Sequence, residues 1–154
     1  MLFPSLTARD LEGRTVEIPA GLSGGVNLVV LAFRRDHQQP LETWLAHFPR
    51  LEEQFRGLEV WQVAALPRGY RLWRGAIDSG MRAGISDPRL RRHTLTVYLD
   101  LSRLQRALDL PDLGDVHLLL VDASGTIRWR GRGGYSEATL ASLRKVLGEV
   151  STPS

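Results

Sequence analysis

The 154-residue chain contains no cysteine, and Lys145 is its only lysine. A thiolate is the nucleophile of disulfide exchange and of peroxide reduction, so neither reaction is open to this sequence by that route. No stretch approaches the ~20 consecutive apolar residues with which a helix spans a bilayer. The opening Met1-Leu2-Phe3-Pro4-Ser5 lacks the basic region and apolar run of a secretory signal, which makes the cytoplasm the default compartment. There is no His-x-x-x-His, no His-Glu-x-x-His and no aspartate-rich calcium loop, so neither a metal nor a cofactor is expected. Low-complexity tracts, internal repeats and linkers are also missing, and residues 1–154 read as a single domain.

A chain of this length removes roughly 68–70% of its unfolded surface from water, enough for one core without disulfides or metal. The formal charge of +3 comes from arginine, which stays charged in partly buried pairs and grips carboxylate or phosphate bidentately. The excess is small and the arginines are dispersed, so ordinary surface ion pairing accounts for them.

Leu6 to Ala8 and Thr15 to Ile18 flank the turn-rich Asp10-Leu11-Glu12-Gly13 and predict a small N-terminal hairpin. After the connector Gly21 to Gly25, the nearly continuous apolar run Val26 to Phe33 predicts a central strand covered on both faces. From Pro40 to Phe55, Leu41, Trp44, Leu45, Phe48, Leu51 and Phe55 recur at helical spacing. Pro49 lies inside that stripe and is expected to kink the helix without ending it, with Gly57 closing it. Leu58 to Leu66 reads as a strand, and Tyr70, Trp73, Ile77 and Met81 give a second helix, Tyr70 to Met81, its aromatics on the core face. Thr94 to Leu99 alternates as a strand, and Leu101 to Leu110 is a helix ended by Pro111. His117 to Val121, the turn Asp122-Ala123-Ser124-Gly125 and Thr126 to Arg130 form a second hairpin. Ser136 then caps a last helix that buries Leu140, Leu143 and Leu147.

This order predicts an α/β fold of three layers, α/β/α, around a mixed central sheet. Pro4-Ser5-Leu6, Leu11-Glu12-Gly13-Arg14-Thr15-Val16, the Val-Val-Leu-Ala-Phe strand, the helix holding Pro49, and Val121 to Arg128 resemble the peroxiredoxin and thiol-oxidoreductase branch of the thioredoxin-like superfamily. More narrowly, Leu119-Leu120-Val121-Asp122 followed by Ile127-Arg128-Trp129 and Gly131 is similar to the C-terminal motif of the mitochondrial ATP-synthase assembly-factor family, thioredoxin-like proteins that act as assembly helpers.

The resemblance implies that the redox cysteine of such proteins would lie in Arg34-Arg35-Asp36-His37-Gln38-Gln39-Pro40-Leu41, where Gln38 or Leu41 takes the place of the thiol, and Val116-His117 stands where a cis-proline is usual. Asp36, His37 and His117 could approach one another as an acid and base pair. No nucleophile accompanies them, since Ser23 and Thr43 are arbitrary choices, and no catalytic residue is assigned. His37 is expected to be a locally hydrogen-bonded loop histidine and His117 a satisfied, partly buried one. The Gly131-Arg132-Gly133-Gly134 connection lacks the Gly-Lys-Ser/Thr ending of a phosphate loop. Arg68, Arg71, Arg74, Arg89, Arg91 and Arg92 with Tyr70 and Trp73 could suit single-stranded nucleic acid. The aromatics are expected in the core, however, so nucleic acid is not the expected partner.

The expected function is therefore that of a redox-inactive, cysteine-less module that binds another protein in an assembly or scaffolding role. Its candidate surface comprises Asp36, His37, Gln38, Gln39, Pro40, Trp44 and the loop before His117. The alternative is a non-thiol enzyme or small-ligand binder that reuses the same crevice. A pocket with convergent polar groups would favour the second, a flat apolar patch the first.

Overall fold

The computed structural model describes residues 1–150 and 152–153. In chain order it contains β1 (Leu6–Asp10), β2 (Thr15–Ile18), β3 (Val26–Ala32), α1 (Gln38–Leu45), α2 (Phe48–Gln54), β4 (Phe55–Arg56), β5 (Leu58–Pro67), α3 (Arg74–Gly84), α4 (Pro88–Arg92), β6 (Thr94–Leu99), α5 (Leu101–Leu108), β7 (His117–Asp122), β8 (Ile127–Arg132), α6 (Glu137–Val150) and β9 (Thr152–Pro153). The main sheet runs β2-β1-β6-β5-β3-β7-β8. β3, β5 and β6 are parallel, β7 and β8 add antiparallel strands beyond β3, and the N-terminal hairpin joins antiparallel to β6.

The apolar run of β3 needs cover on both faces, and it has it. Val26, Leu28 and Val30 pack with Leu41 and Trp44 of α1, Leu51 of α2 and Leu143 and Leu147 of α6. Val29 and Leu31 point the other way, into a cluster with Leu104 and Leu108 of α5 and with Ala8 and Ile18 of the N-terminal hairpin. The one polar residue of the run, Asn27, is buried but satisfied: its amide oxygen accepts the Trp61 indole N–H at 2.9 Å and the Gly24 N–H at 3.0 Å. Helices thus lie on both faces of a mixed sheet, in the three layers that the element order predicts.

Three local expectations are corrected. The stripe from Pro40 to Phe55 is two helices, because α1 ends at Leu45 and α2 begins at Phe48. Pro49 sits in the first turn of α2, where its missing N–H has no partner to lose, so it starts a helix instead of kinking one. Gly57 does not close that helix; it is the turn between the short strand β4 and β5, at φ +87°. The segment starting at Tyr70 is a 3-10 turn, Arg68–Trp73, that leads into α3. A 3-10 turn has about three residues per turn against 3.6 in the α-helix, so the residue phase shifts at Trp73: Ile77 and Met81 of the stripe stay half-buried on α3, while its two aromatics turn outward. Tyr70 and Trp73 are exposed, and the inward side of α3 carries Asp78 and Arg74. That polar side matches the sheet beneath it. The Asp78 carboxylate accepts the Thr96 hydroxyl at 3.3 Å, and the Arg74 guanidinium lies 5.0 Å above the Tyr98 ring. Burial together with the Asp78 carboxylate pushes the Tyr98 hydroxyl up to about 12, against the opposing pull of Arg74.

Candidate functional site

The candidate residues collect at one edge of the sheet because β3, β5 and β6 run parallel and end there, while antiparallel β7 begins there with His117 opposite Leu31. Past Ala32 the chain buries Phe33, exposes Arg34, makes a 3-10 turn over Arg35–His37 and enters α1 at Gln38. Phe33 separates the two histidines, with ring centroids 6.1 Å from His37 and 6.0 Å from His117.

Neither imidazole faces solvent. His37 folds back so that Nδ1 accepts the Phe33 backbone N–H at 3.0 Å. His117 Nε2 lies 3.0 Å from the Asp112 carbonyl oxygen; a carbonyl only accepts, so this nitrogen carries the proton. Burial pushes the His117 pKa down, outweighing that hydrogen bond. Asp36 turns outward and pairs with Arg34 at 3.5 Å. The acid and base pair imagined for Asp36, His37 and His117 is therefore not formed: the carboxylate is in water and both rings are tied to the backbone.

Trp44 is also behind the edge, fully buried, its indole N–H donating to the Gly133 carbonyl at 2.9 Å and its ring stacked on Phe48. Of the seven candidate positions only Asp36, Gln38 and Gln39 are exposed and Pro40 partly so. The loop before His117 is held by Asp112, which pairs with Arg132 at 2.7 Å. The Gly114 N–H and Arg132 together keep the Asp112 carboxyl below its ordinary range.

Ser23 offers no nucleophile. Gly21-Leu22-Ser23-Gly24-Gly25 has the spacing of a hydrolase elbow, but it precedes β3 instead of linking a strand to a helix, and the Ser23 hydroxyl is bound to Glu59 at the opposite end of the sheet. Thr43 is engaged as well, donating to the Pro40 carbonyl and accepting the Tyr135 N–H at 2.7 Å. Among the described residues no group of three or more His, Asp or Glu side chains is placed to hold a metal ion, and no helix is long and apolar enough to cross a membrane.

The edge does contain a crevice of about 240 Å³ between α1 and α3. Gln38 and Leu41 form one wall, Gly80, Met81 and Gly84 the other, and Ala32, Gln62 and Ala64 part of the floor. It carries two amides and no acid, base or cation among these residues. An added Cβ at Gly80 or Gly84 would meet no atom within 4 Å, so the glycines leave this space open. The spacing of Gly80 and Gly84, one helical turn apart, was the available signal for it in the sequence. The arginine cluster beyond α3 is largely spent: Arg89 pairs with Glu52, Arg92 with Glu12, and Arg91 binds the Arg82 and Ile85 carbonyls.

No protein-family model matches the sequence, and no curated protein matches it. Solved structures do match. A thiol:disulfide interchange protein from Bacteroides sp. is 20% identical, with 96% of this chain and 88% of that one covered and a TM-score of 0.58. A thioredoxin-like protein from Porphyromonas gingivalis is 16% identical over 96% and 90% of the two chains, with a TM-score of 0.62. The exposed lipoprotein thioredoxin Etrx1 of Streptococcus pneumoniae is 11% identical over 95% and 99%, with a TM-score of 0.59. With the sheet order and the helices on both faces, these likenesses establish a thioredoxin-like α/β fold for a chain that has no cysteine.

Proposed function

We propose that the protein is a redox-inactive, protein-binding module with an assembly or scaffolding role, and that the partner enters the crevice beside Gln38. One observation carries this reading. The sheet edge that would present sulfur instead presents Gln38 and a recess of apolar groups and amides, while His37 and His117 are held by backbone hydrogen bonds. Such a lining favours a neutral, apolar side chain carried by a partner and supplies neither nucleophile nor general base. The resemblance of Leu119-Leu120-Val121-Asp122 and Ile127-Arg128-Trp129 to the C-terminal motif of the ATP-synthase assembly-factor family supports the same reading, and the peroxiredoxin-like resemblance of the rest and a cytoplasmic location belong to it.

The concave, partly open recess also favours an alternative, a small neutral ligand bound in the same place. Gly80→Leu with Gly84→Leu adds side chains at the α3 wall of the recess, where an added Cβ meets no atom within 4 Å at either position, and crowds it. The proposal expects a partner protein, identified by mass spectrometry after capture on the wild-type chain, to be lost on this variant while its thermal midpoint is kept. Retention of that partner, or reproducible turnover of a disulfide or peroxide substrate, rejects the proposal. A small molecule co-purifying with the wild type and absent from the crowded variant selects the alternative.

A further inference from the structure

The 3-10 turn Arg68–Trp73 leaves β5 at the same sheet edge and displays apolar side chains that none of the described residues covers. Tyr70 is 51% exposed, Leu72 91% and Trp73 65%. Arg68 and Arg71 stand exposed among them, Arg71 with a single long contact from one guanidinium N–H to the Tyr98 carbonyl at 3.5 Å, and no acidic residue occurs between Val60 and Ile77. Asp100 lies beside Arg68 in a shallow recess, but its carboxylate is engaged by the Ser102 and Arg103 N–H groups at the start of α5. We propose that this turn docks the protein onto the surface of an anionic phospholipid bilayer. Leu72 and Trp73 enter the boundary between headgroups and acyl chains, Tyr70 lies at headgroup level, and Arg68 and Arg71 hold lipid phosphates.

The chemistry of the turn selects this occupant. Tryptophan and tyrosine settle at membrane interfaces because each ring joins an apolar body to a polar edge. Arginine keeps its charged end in the headgroups while its stem covers apolar surface, and the charge complements anionic lipid. The exposure of Tyr70 and Trp73 removes the sequence-based argument against nucleic acid, but Leu72 decides between the two. An aliphatic tip stacks on no base, and the Arg89, Arg91 and Arg92 cluster that would extend a phosphate track is occupied by Glu52, Glu12 and backbone carbonyls. A partner protein would have to supply a pocket shaped for this convex turn, whereas a bilayer needs none. The docking is independent of the crevice, which the turn does not line.

The test is co-sedimentation of the full chain with vesicles of equal phosphatidylglycerol and phosphatidylcholine, and with phosphatidylcholine alone. Trp44, Trp61 and Trp129 are buried, so a change in indole emission reports Trp73. The expected result is binding to the anionic vesicles with a blue shift, much weaker binding to the neutral ones, and a several-fold loss when salt rises from about 0.05 M to about 0.5 M. Leu72→Glu should weaken binding at least about tenfold without moving the thermal midpoint, and Arg68→Gln with Arg71→Gln should also weaken it about tenfold or more. Failure to sediment with anionic vesicles overturns the proposal, as does undiminished binding by Leu72→Glu. An emission shift produced by a single-stranded oligonucleotide but not by vesicles overturns it in favour of nucleic acid.

Discussion

The imidazole of His37 accepts the backbone N–H of Phe33 through Nδ1 at 3.0 Å, closing the loop from Phe33 to His37 just where β3 gives way to the first helical turn. This N–H lies beyond the last paired residue of β3 and is buried, so it depends on the side chain that His37 returns to it. Both residues are nearly inaccessible, Phe33 at 3% and His37 at 2%. His37→Ala leaves the donor unsatisfied and opens space beside the Phe33 ring. The expected loss is about 2–4 kcal/mol in urea unfolding, from the unpaired donor and the lost packing together. A change of a few tenths would mean that the hydrogen bond adds nothing.

Acid should destabilise the fold in two separate windows. His117 has a folded pKa below its ordinary 6.5 because of burial. The unfolded chain therefore binds the extra proton first as pH falls, so the stability due to a neutral His117 is complete above about 6.5 and is lost on descending from there. Asp122 follows at lower pH. Its partial burial opposes ionisation, but hydrogen bonds from the Ser124 hydroxyl, from Arg128 and from the N–H groups of Thr126 and Ser124 outweigh it and hold the carboxyl down to about 2. Its contribution is complete above the ordinary value of 3.8 and falls away as pH drops toward 2. Unfolding midpoints measured in urea across pH should show both declines, and His117→Gln should remove the first alone. A profile that His117→Gln leaves unchanged above pH 5 (roughly the start of the carboxylate region) would refute the assignment.

Period and turn chemistry made the sheet legible. The unbroken apolar run of β3 and the Asp122-to-Gly125 turn each had one simple structural solution, and both elements form where the pattern puts them. The helices were harder to delimit because an apolar stripe continues across a break: Leu41, Trp44, Phe48 and Leu51 keep one face through the turn at Ala46 and His47. Around Tyr70 the change from a 3-10 to an α-helical period put the aromatics outside, and nothing in composition marks that change. At the site, the sequence located the edge but not the burial of its members. Trp44 belonged to the core stripe by spacing and stays there, and the crevice arises from two glycines on α3 that meet α1 only in three dimensions.

Gln38 offers a direct test of whether the electrostatics of this edge favour a thiolate. It stands at the start of α1, within the helical run opened by the 3-10 turn at Arg35, and it is exposed. Arg34 and Arg35 precede it, and no acidic side chain lies in the first turn of α1. Partial positive charge from the N–H end of the helical run and from these guanidinium groups favours an anion at this position, opposed by Asp36, which pairs with Arg34, and by Glu42, whose carboxylate accepts the Gln38 amide N–H at 3.4 Å. In Gln38→Cys, the pH at which alkylation by iodoacetamide reaches half its maximal rate should fall about one unit below the ~8.5 of a free cysteine. Sensitivity to thiol reagents should appear without catalytic turnover, because a single thiolate has no second cysteine to resolve a mixed disulfide. A midpoint at or above the free-cysteine value would mean that Asp36 and Glu42 together cancel the helix and the arginines.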